Sequence, residues 1–170
     1  MAIKPPTSVT PEILEFCQQL AVGQAPFYIE ISEGGSADNC HGNVASLVQE
    51  RGGSQLRGWS IWRDTHGRYL EAIYHSIYVH SSGVQIDITP DADGERRRLF
   101  LPVPNDTYQG RPKPSRYKAL VEKPTVIEAL KLFEEASKLQ ASIRDDELVP
   151  LNVDYKVRKL REKGSRLLRT

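Results

Sequence analysis

The chain has little of several things that would point quickly to a function. Its 170 residues hold two cysteines, one methionine and four histidines, with no Cys-x-x-Cys or His-x-x-x-His pair. Zinc ribbons and dithiol redox centres need such spacings and are set aside. No run approaches the roughly 18 consecutive apolar residues that read as a membrane span. The opening Met1-Ala2-Ile3-Lys4-Pro5-Pro6 lacks the apolar stretch of a signal peptide. A cytoplasmic protein with free thiols and no membrane partner is therefore expected. Neither sign of charge is in excess: 23 basic against 22 acidic residues leave a net charge of +1, which argues against wholesale nucleic-acid binding.

What is present is an ordinary globular composition, 39% apolar and 26% charged, sufficient for one domain with its own core. Residues 1–9 read as a loose arm. Thr10-Pro11 opens a short helix with Ile13, Leu14, Cys17 and Leu20 on one face, closing near Gly23. Cys17, inside that apolar stripe, is expected to pack as a small hydrophobe. Pro26 to Ile31 reads as a strand and residues 33–37 as a Gly-rich loop. A second helix is expected from Cys40 to Arg51, capped by Asp38 or Asn39 and stopped by Gly52-Gly53. Its small residues Gly42 and Ala45 suit a close approach to a sheet.

From residue 55 the pattern alternates with period two, predicting strands at 56–64, 68–80, 84–88 and 97–103 in an antiparallel meander. Residues 104–122, rich in Pro and Gly, read as loop. Thr125-Val126-Ile127-Glu128 resembles a capping box opening a helix to about Ala141, with Leu130, Phe133, Leu139 and Ala129 or Ala136 inward. The fold expected is α+β: a Cys-bearing helix packed on a small antiparallel sheet, followed by C-terminal helices. Residues 1–150 form the domain, and residues 151–170 a basic tail or helix.

Chemistry concentrates on Cys40. A thiol at a helix N-terminus feels the positive end of the macrodipole, which favours thiolate. A nucleophile needs a base, and the base an orienting group. His75 and Asp87 lie downstream on two strands of one hairpin. A three-residue loop at Ser81-Ser82-Gly83 sets residue 77 opposite 87 and leaves Asp87 diagonal to His75 on one face. A two-residue loop turns Asp87 to the other face. The backbone N–H of Cys40, with Asn39 or Asn43, offers donors for an oxyanion; Asn43 reads equally as a helix-surface residue or a cap for the Gly-rich loop. His41 is expected at the solvent or at the helix start, His66 in a turn and His80 at the hairpin tip. Glu30 and Glu71 read as surface charges. Of Trp59 and Trp62, one is expected in the core and the other along a cleft. Zinc is the competing use of Cys40, His41, His75, His80 and Asp87, but their spacing does not suit it; no metal or cofactor is expected.

Taken together, Cys40-x-x-Asn43-Val44, Gly58-Trp59-x-Ile61-Trp62, Glu71-Ala72-x-x-His75 and Ile86-Asp87-Ile88-Thr89-Pro90 resemble a group of small bacterial and phage proteins, some of which carry a SEC-C zinc-binding tail. The layout also looks like the transglutaminase-like and papain-like cysteine enzymes. That resemblance implies Cys40 as nucleophile, His75 as base and Asp87 as orienter. The function expected is cysteine-dependent acyl transfer: hydrolysis, deamidation or transamidation of an amide, isopeptide or thioester. Its partner would be a protein, peptide or small amide or thioester substrate. The alternative is a non-catalytic binding or adaptor module of the same fold, with the basic tail contacting an acidic partner.

Overall fold

The computed structural model describes residues 3–32, 34–37, 39–145 and 147–169. Among them are four helices: α1 (Pro11–Leu20), α2 (Cys40–Arg51), α3 (Pro124–Ala141) and α4 (Leu151–Leu167). Seven strands accompany them: β1 (Ile3–Lys4), β2 (Phe27–Glu30), β3 (Ser54–Asp64), β4 (Tyr69–Val79), β5 (Gln85–Ile86), β6 (Arg97–Pro102) and β7 (Arg116–Ala119). The strands form one sheet in the order β2-β6-β3-β4-β5, with β1 paired to β3 and β7 to β4. The fold is α+β. The chain divides into two compact units, one of Lys4–Trp62 and Tyr74–Asp106, the other of Met1–Ile3, Arg63–Ile73 and Thr107–Thr170. No described helix is long and apolar enough to cross a membrane.

In the first unit α2 spans the expected residues. Its stop is chemical: Gly52 and Gly53 both take positive φ, 72° and 84°, a region closed to most side chains. Of the two residues named as caps, Asp38 lies outside the described residues, and Asn39 occupies the cap position without a side-chain cap bond. Ala45 is exposed, and the buried residues of the helix are His41 and Val44. The arm before α1 is not loose over its whole length, because Pro6 is buried and its carbonyl accepts a 2.7 Å bond from Tyr28 Oη. Cys17 is fully buried in α1, and both Trp59 and Trp62 are buried. The inner face gathers Ile29, Ile77 and Phe100, with Phe27 edge-on to Phe100 at 5.7 Å.

The β4–β5 hairpin sets the register on which the site depends. Tyr78 pairs with Ile86 and Val79 with Gln85. The turn closes through His80 N–H to Val84 O and Gly83 N–H to His80 O, both 2.8 Å. The loop is therefore the three residues 81–83. β5 is shorter than expected because the backbone of Asp87 turns to a parallel bridge with Ile31, and Ser32 N–H bonds Asp87 O at 2.7 Å.

The second unit corrects three expectations. Residues 116–119 are not loop but β7, paired antiparallel to Tyr69–Ala72. Four residues carrying Arg and Lys, between prolines at 114 and 124, give too short an alternation to read as a strand. The capping box does not form: Pro124 takes the first helical position, and Thr125 Oγ1 is buried with no hydrogen-bond partner among the described residues. Glu71 is not a surface charge. It is buried opposite Tyr117, whose hydroxyl donates to it at 2.9 Å, and burial raises its carboxyl pKa despite that bond. The core here joins Tyr69, Val126, Ala129, Leu130, Phe133 and Leu168. Residues 151–167 are helical, and their basic side chains are partly neutralised by Arg158–Asp154 at 3.0 Å, Lys159–Glu162 at 3.7 Å and Lys156–Glu135 at 3.9 Å.

Gly164 gives a test of this packing. Alanine in an exposed helix gains about 1 kcal/mol over glycine, but a Cβ here would lie 2.5 Å from the Phe133 ring and 3.1 Å from Ala129 O. Phe133 is itself buried, so its ring has no solvent to swing into. Gly164→Ala should therefore destabilise the protein by about 1–2 kcal/mol through overpacking, read as a lower urea midpoint. A gain in stability would contradict the close approach.

Candidate active site

The site is assembled within the first unit from α2, β4, the end of the β4–β5 hairpin and β6. Cys40 is the first residue of α2 and half-buried. His75, mid-way along β4, is 6% exposed, and Asp87 is fully buried. The hairpin register puts them on one face, with His75 Nε2 2.9 Å from Asp87 Oδ2. His75 Nε2 is thus committed to Asp87, and the ring also acts on the Cys40 thiol.

Burial alone would raise the Cys40 pKa. Hydrogen bonds from His41 and His75, with the charge on the His75 ring, outweigh it and lower the thiol to about 6. Burial alone would lower the His75 pKa; the bonds to Asp87 and Cys40 outweigh it and raise the ring to about 9. Burial pushes the Asp87 carboxyl up, but His75, Arg98 and the Thr89 N–H hold it below the usual range. Cys17 has no such partners, and burial pushes its thiol up to about 11. The two thiols are thus shifted in opposite directions, Cys40 down by its imidazole neighbours and Cys17 up by burial.

Arg98 was not singled out from the sequence, and it is central. It is 5% exposed, and its Nη1 lies 2.5 Å from Asp87 Oδ2, 2.8 Å from Thr89 O and 3.3 Å from His75 Nε2. Thr89 N–H donates to the other carboxylate oxygen at 3.0 Å. A signal existed in strand parity. Arg98 lies two residues before Phe100, whose ring packs edge-on to His75 at 6.2 Å, so both project to the same face.

Of the two tasks expected of Asn43, oxyanion donor or cap for the Gly-rich loop, its bonds are those of the cap. Its Oδ1 accepts from Ser36 N–H at 3.0 Å, and its Nδ2 donates to Ser36 O at 2.8 Å and Thr89 Oγ1 at 3.1 Å. That amide is occupied in tying the Gly-rich loop to the Asp87 segment. Gly35 permits the clamp, since a Cβ there would meet Asn43 Nδ2 at 2.4 Å and Ile88 O at 2.7 Å. Glu33, in the same loop, lies outside the described residues. Asn39 folds its side chain over the Cα of Gly42. Both asparagines line an open groove of about 530 Å³ between α2 and the loop, with Ser46, Leu47 and Glu50 beyond them.

His41 is buried rather than solvent-facing: its Nδ1 lies 2.6 Å from Ser76 Oγ, and its ring stacks on Tyr74 at 4.9 Å. Trp59 lies edge-on to the same Tyr74 at 5.5 Å. His66 and His80 are exposed, the latter bonded to Ser82, and neither joins the site. Among the described residues no three His, Cys, Asp or Glu side chains are placed to hold a metal ion. Compared with family models, curated proteins and solved structures, the chain gives no match.

Arg98 is testable through stability. Removing one partner from a buried charge cluster costs about 3 kcal/mol or more, so Arg98→Met should lower unfolding stability by about that amount at neutral pH. The sign of the pH dependence follows from Asp87. Its depressed pKa contributes stability that is full above about 4 and lost as pH falls. The gap between Arg98→Met and wild type should therefore narrow in acid, measured by urea unfolding across pH. A gap that stays constant would reduce Arg98 to a packing residue.

Proposed function

We propose that the protein is a cysteine-dependent acyl-transfer enzyme acting on an amide, isopeptide or thioester. The observation that supports this reading best is the buried His75–Asp87 pair at 2.9 Å, whose ring lowers the pKa of a thiol standing at a helix N-terminus. The arrangement is similar to that of papain-like and transglutaminase-like enzymes, in which the same three residue types share the work.

Cys40 as thiolate attacks the acyl carbon: the Sγ–C bond forms and the carbonyl π pair moves onto oxygen. The backbone N–H of Cys40, unpaired within the helix, is the donor for that oxyanion. Collapse breaks the bond to the leaving group as His75 delivers its proton to it. His75 then takes a proton from the acceptor, water in hydrolysis or an amine in transamidation, as the acceptor attacks the thioester carbon. The C–Sγ bond breaks, the acid or amide leaves, and Cys40 is restored as thiolate. Asp87 keeps the ring oriented and balances its charge, and Arg98 holds Asp87.

The ion pair has a pH window. The lowered thiol loses its charge as pH falls through about 6, and the raised ring loses its proton as pH rises through about 9. Acylation by p-nitrophenyl acetate should follow a bell with those limbs, with the acetyl group found on Cys40 by mass spectrometry. Cys40→Ser should abolish that burst, and His75→Ala should slow it by about 100-fold or more. A rate that only climbs into alkali, untouched by His75→Ala, would sink the enzyme reading.

A further inference from the structure

Arg98 has more contacts than hydrogens to meet them, and that shortage shows what it does besides holding Asp87. A guanidinium only donates, and its Nη1 carries two hydrogens. The shorter contacts take both, Asp87 Oδ2 at 2.5 Å and Thr89 O at 2.8 Å. None is left for His75 Nε2 at 3.3 Å, so ring and guanidinium stand side by side on one carboxylate oxygen. Each cation there weakens the hold of Asp87 on the other. Nη2 reaches a second carboxylate, Asp91 Oδ1, at 3.8 Å. The turn leading into β6 fixes Asp91, whose Oδ2 accepts the N–H groups of Asp93 at 3.0 Å and Glu95 at 3.3 Å. The three side chains, 6% exposed in Arg98, 0% in Asp87 and 12% in Asp91, are little screened by solvent. Among the described residues the charged and titratable groups that act on the His75 ring are Cys40 from α2, Asp87 beyond β5 and Arg98 from β6, with Asp91 behind Arg98.

We propose that Arg98, shared between Asp87 and Asp91, is a positioning residue that sets how tightly His75 keeps its proton. The inference rests on the acyl-transfer reading above, in which His75 gives a proton to the leaving group and takes one from the acceptor. A buried carboxylate without a second cation would bind the imidazolium more firmly and slow that release. Asp91 acts one step further out. Its charge opposes that of the guanidinium and limits how far Arg98 offsets Asp87.

The experiment is the titration of His75 by proton–nitrogen NMR in wild type, Arg98→Met, Arg98→Lys and Asp91→Asn. Beside it runs the pH profile of acylation by p-nitrophenyl acetate. Arg98→Met should raise the His75 midpoint by about 1 pH unit or more, the effect of one close charge, and carry the alkaline limb of acylation with it. Arg98→Lys keeps a cation and should restore most of the wild-type midpoint. Asp91→Asn keeps an oxygen for the turn N–H groups, removes the charge, and should lower the midpoint by a smaller amount. That variant decides the matter if Arg98→Met does not fold. A His75 midpoint that Asp91→Asn leaves unmoved, or that Arg98→Met leaves unmoved or lowers, overturns this inference while acylation at Cys40 still upholds the enzyme reading. A wild-type protein that is not acylated at Cys40 overturns the acyl-transfer reading and this one with it.

Discussion

Asp87 carries a carboxylate with no exposure to solvent, and an ion in such a place costs several kcal/mol unless its lone pairs are filled. Three donors fill them: the His75 ring and Arg98 on one oxygen, and the Thr89 N–H on the other. Much of the local architecture serves that arrangement. β5 stops after two residues so that the chain can turn Asp87 inward, and Ile31 and Ser32 take up its freed backbone groups. Asn43 then ties Thr89 to the loop preceding α2, so the helix that presents Cys40 is located by the same segment that holds the carboxylate. A change at Asp87 is felt at the thiol through two routes, one through the His75 ring and one through the loop.

The elements of this site were legible in the sequence where local chemistry decided them. α2 ends where two glycines adopt positive φ, and its start is marked by the change from a Gly-rich loop to a helical pattern. The β4–β5 register followed from one question, two loop residues or three, because side chains alternate strictly along a strand. His75 and Asp87 came together once that was answered.

The remaining parts depended on packing that no local pattern encodes. His41 follows Cys40 on a helix start, where most side chains face water, and its partner Ser76 on β4 accounts for its burial. Arg98 stands within three consecutive arginines, of which Arg97 is exposed over Tyr28 and Arg98 is sealed against Asp87. The charge run masked a parity signal that its neighbour Phe100 carried. Glu71 is buried for a related reason: its partner Tyr117 sits on β7, a strand too short and too polar to be read without its neighbour. In each case a polar residue is buried because a distant partner satisfies it, and that partner is set by tertiary structure.

His75 and Asp87 are therefore held by groups that are themselves buried and bonded, which is how a site would keep its geometry through the proposed reaction. The central claim is that Cys40 rests as a thiolate. Ultraviolet thiolate absorbance of the intact protein, followed across pH, measures it directly, because Cys17 titrates far away near 11. One thiolate should appear with a midpoint near 6. Absorbance appearing only around the free-cysteine value of about 8.5 would contradict the account.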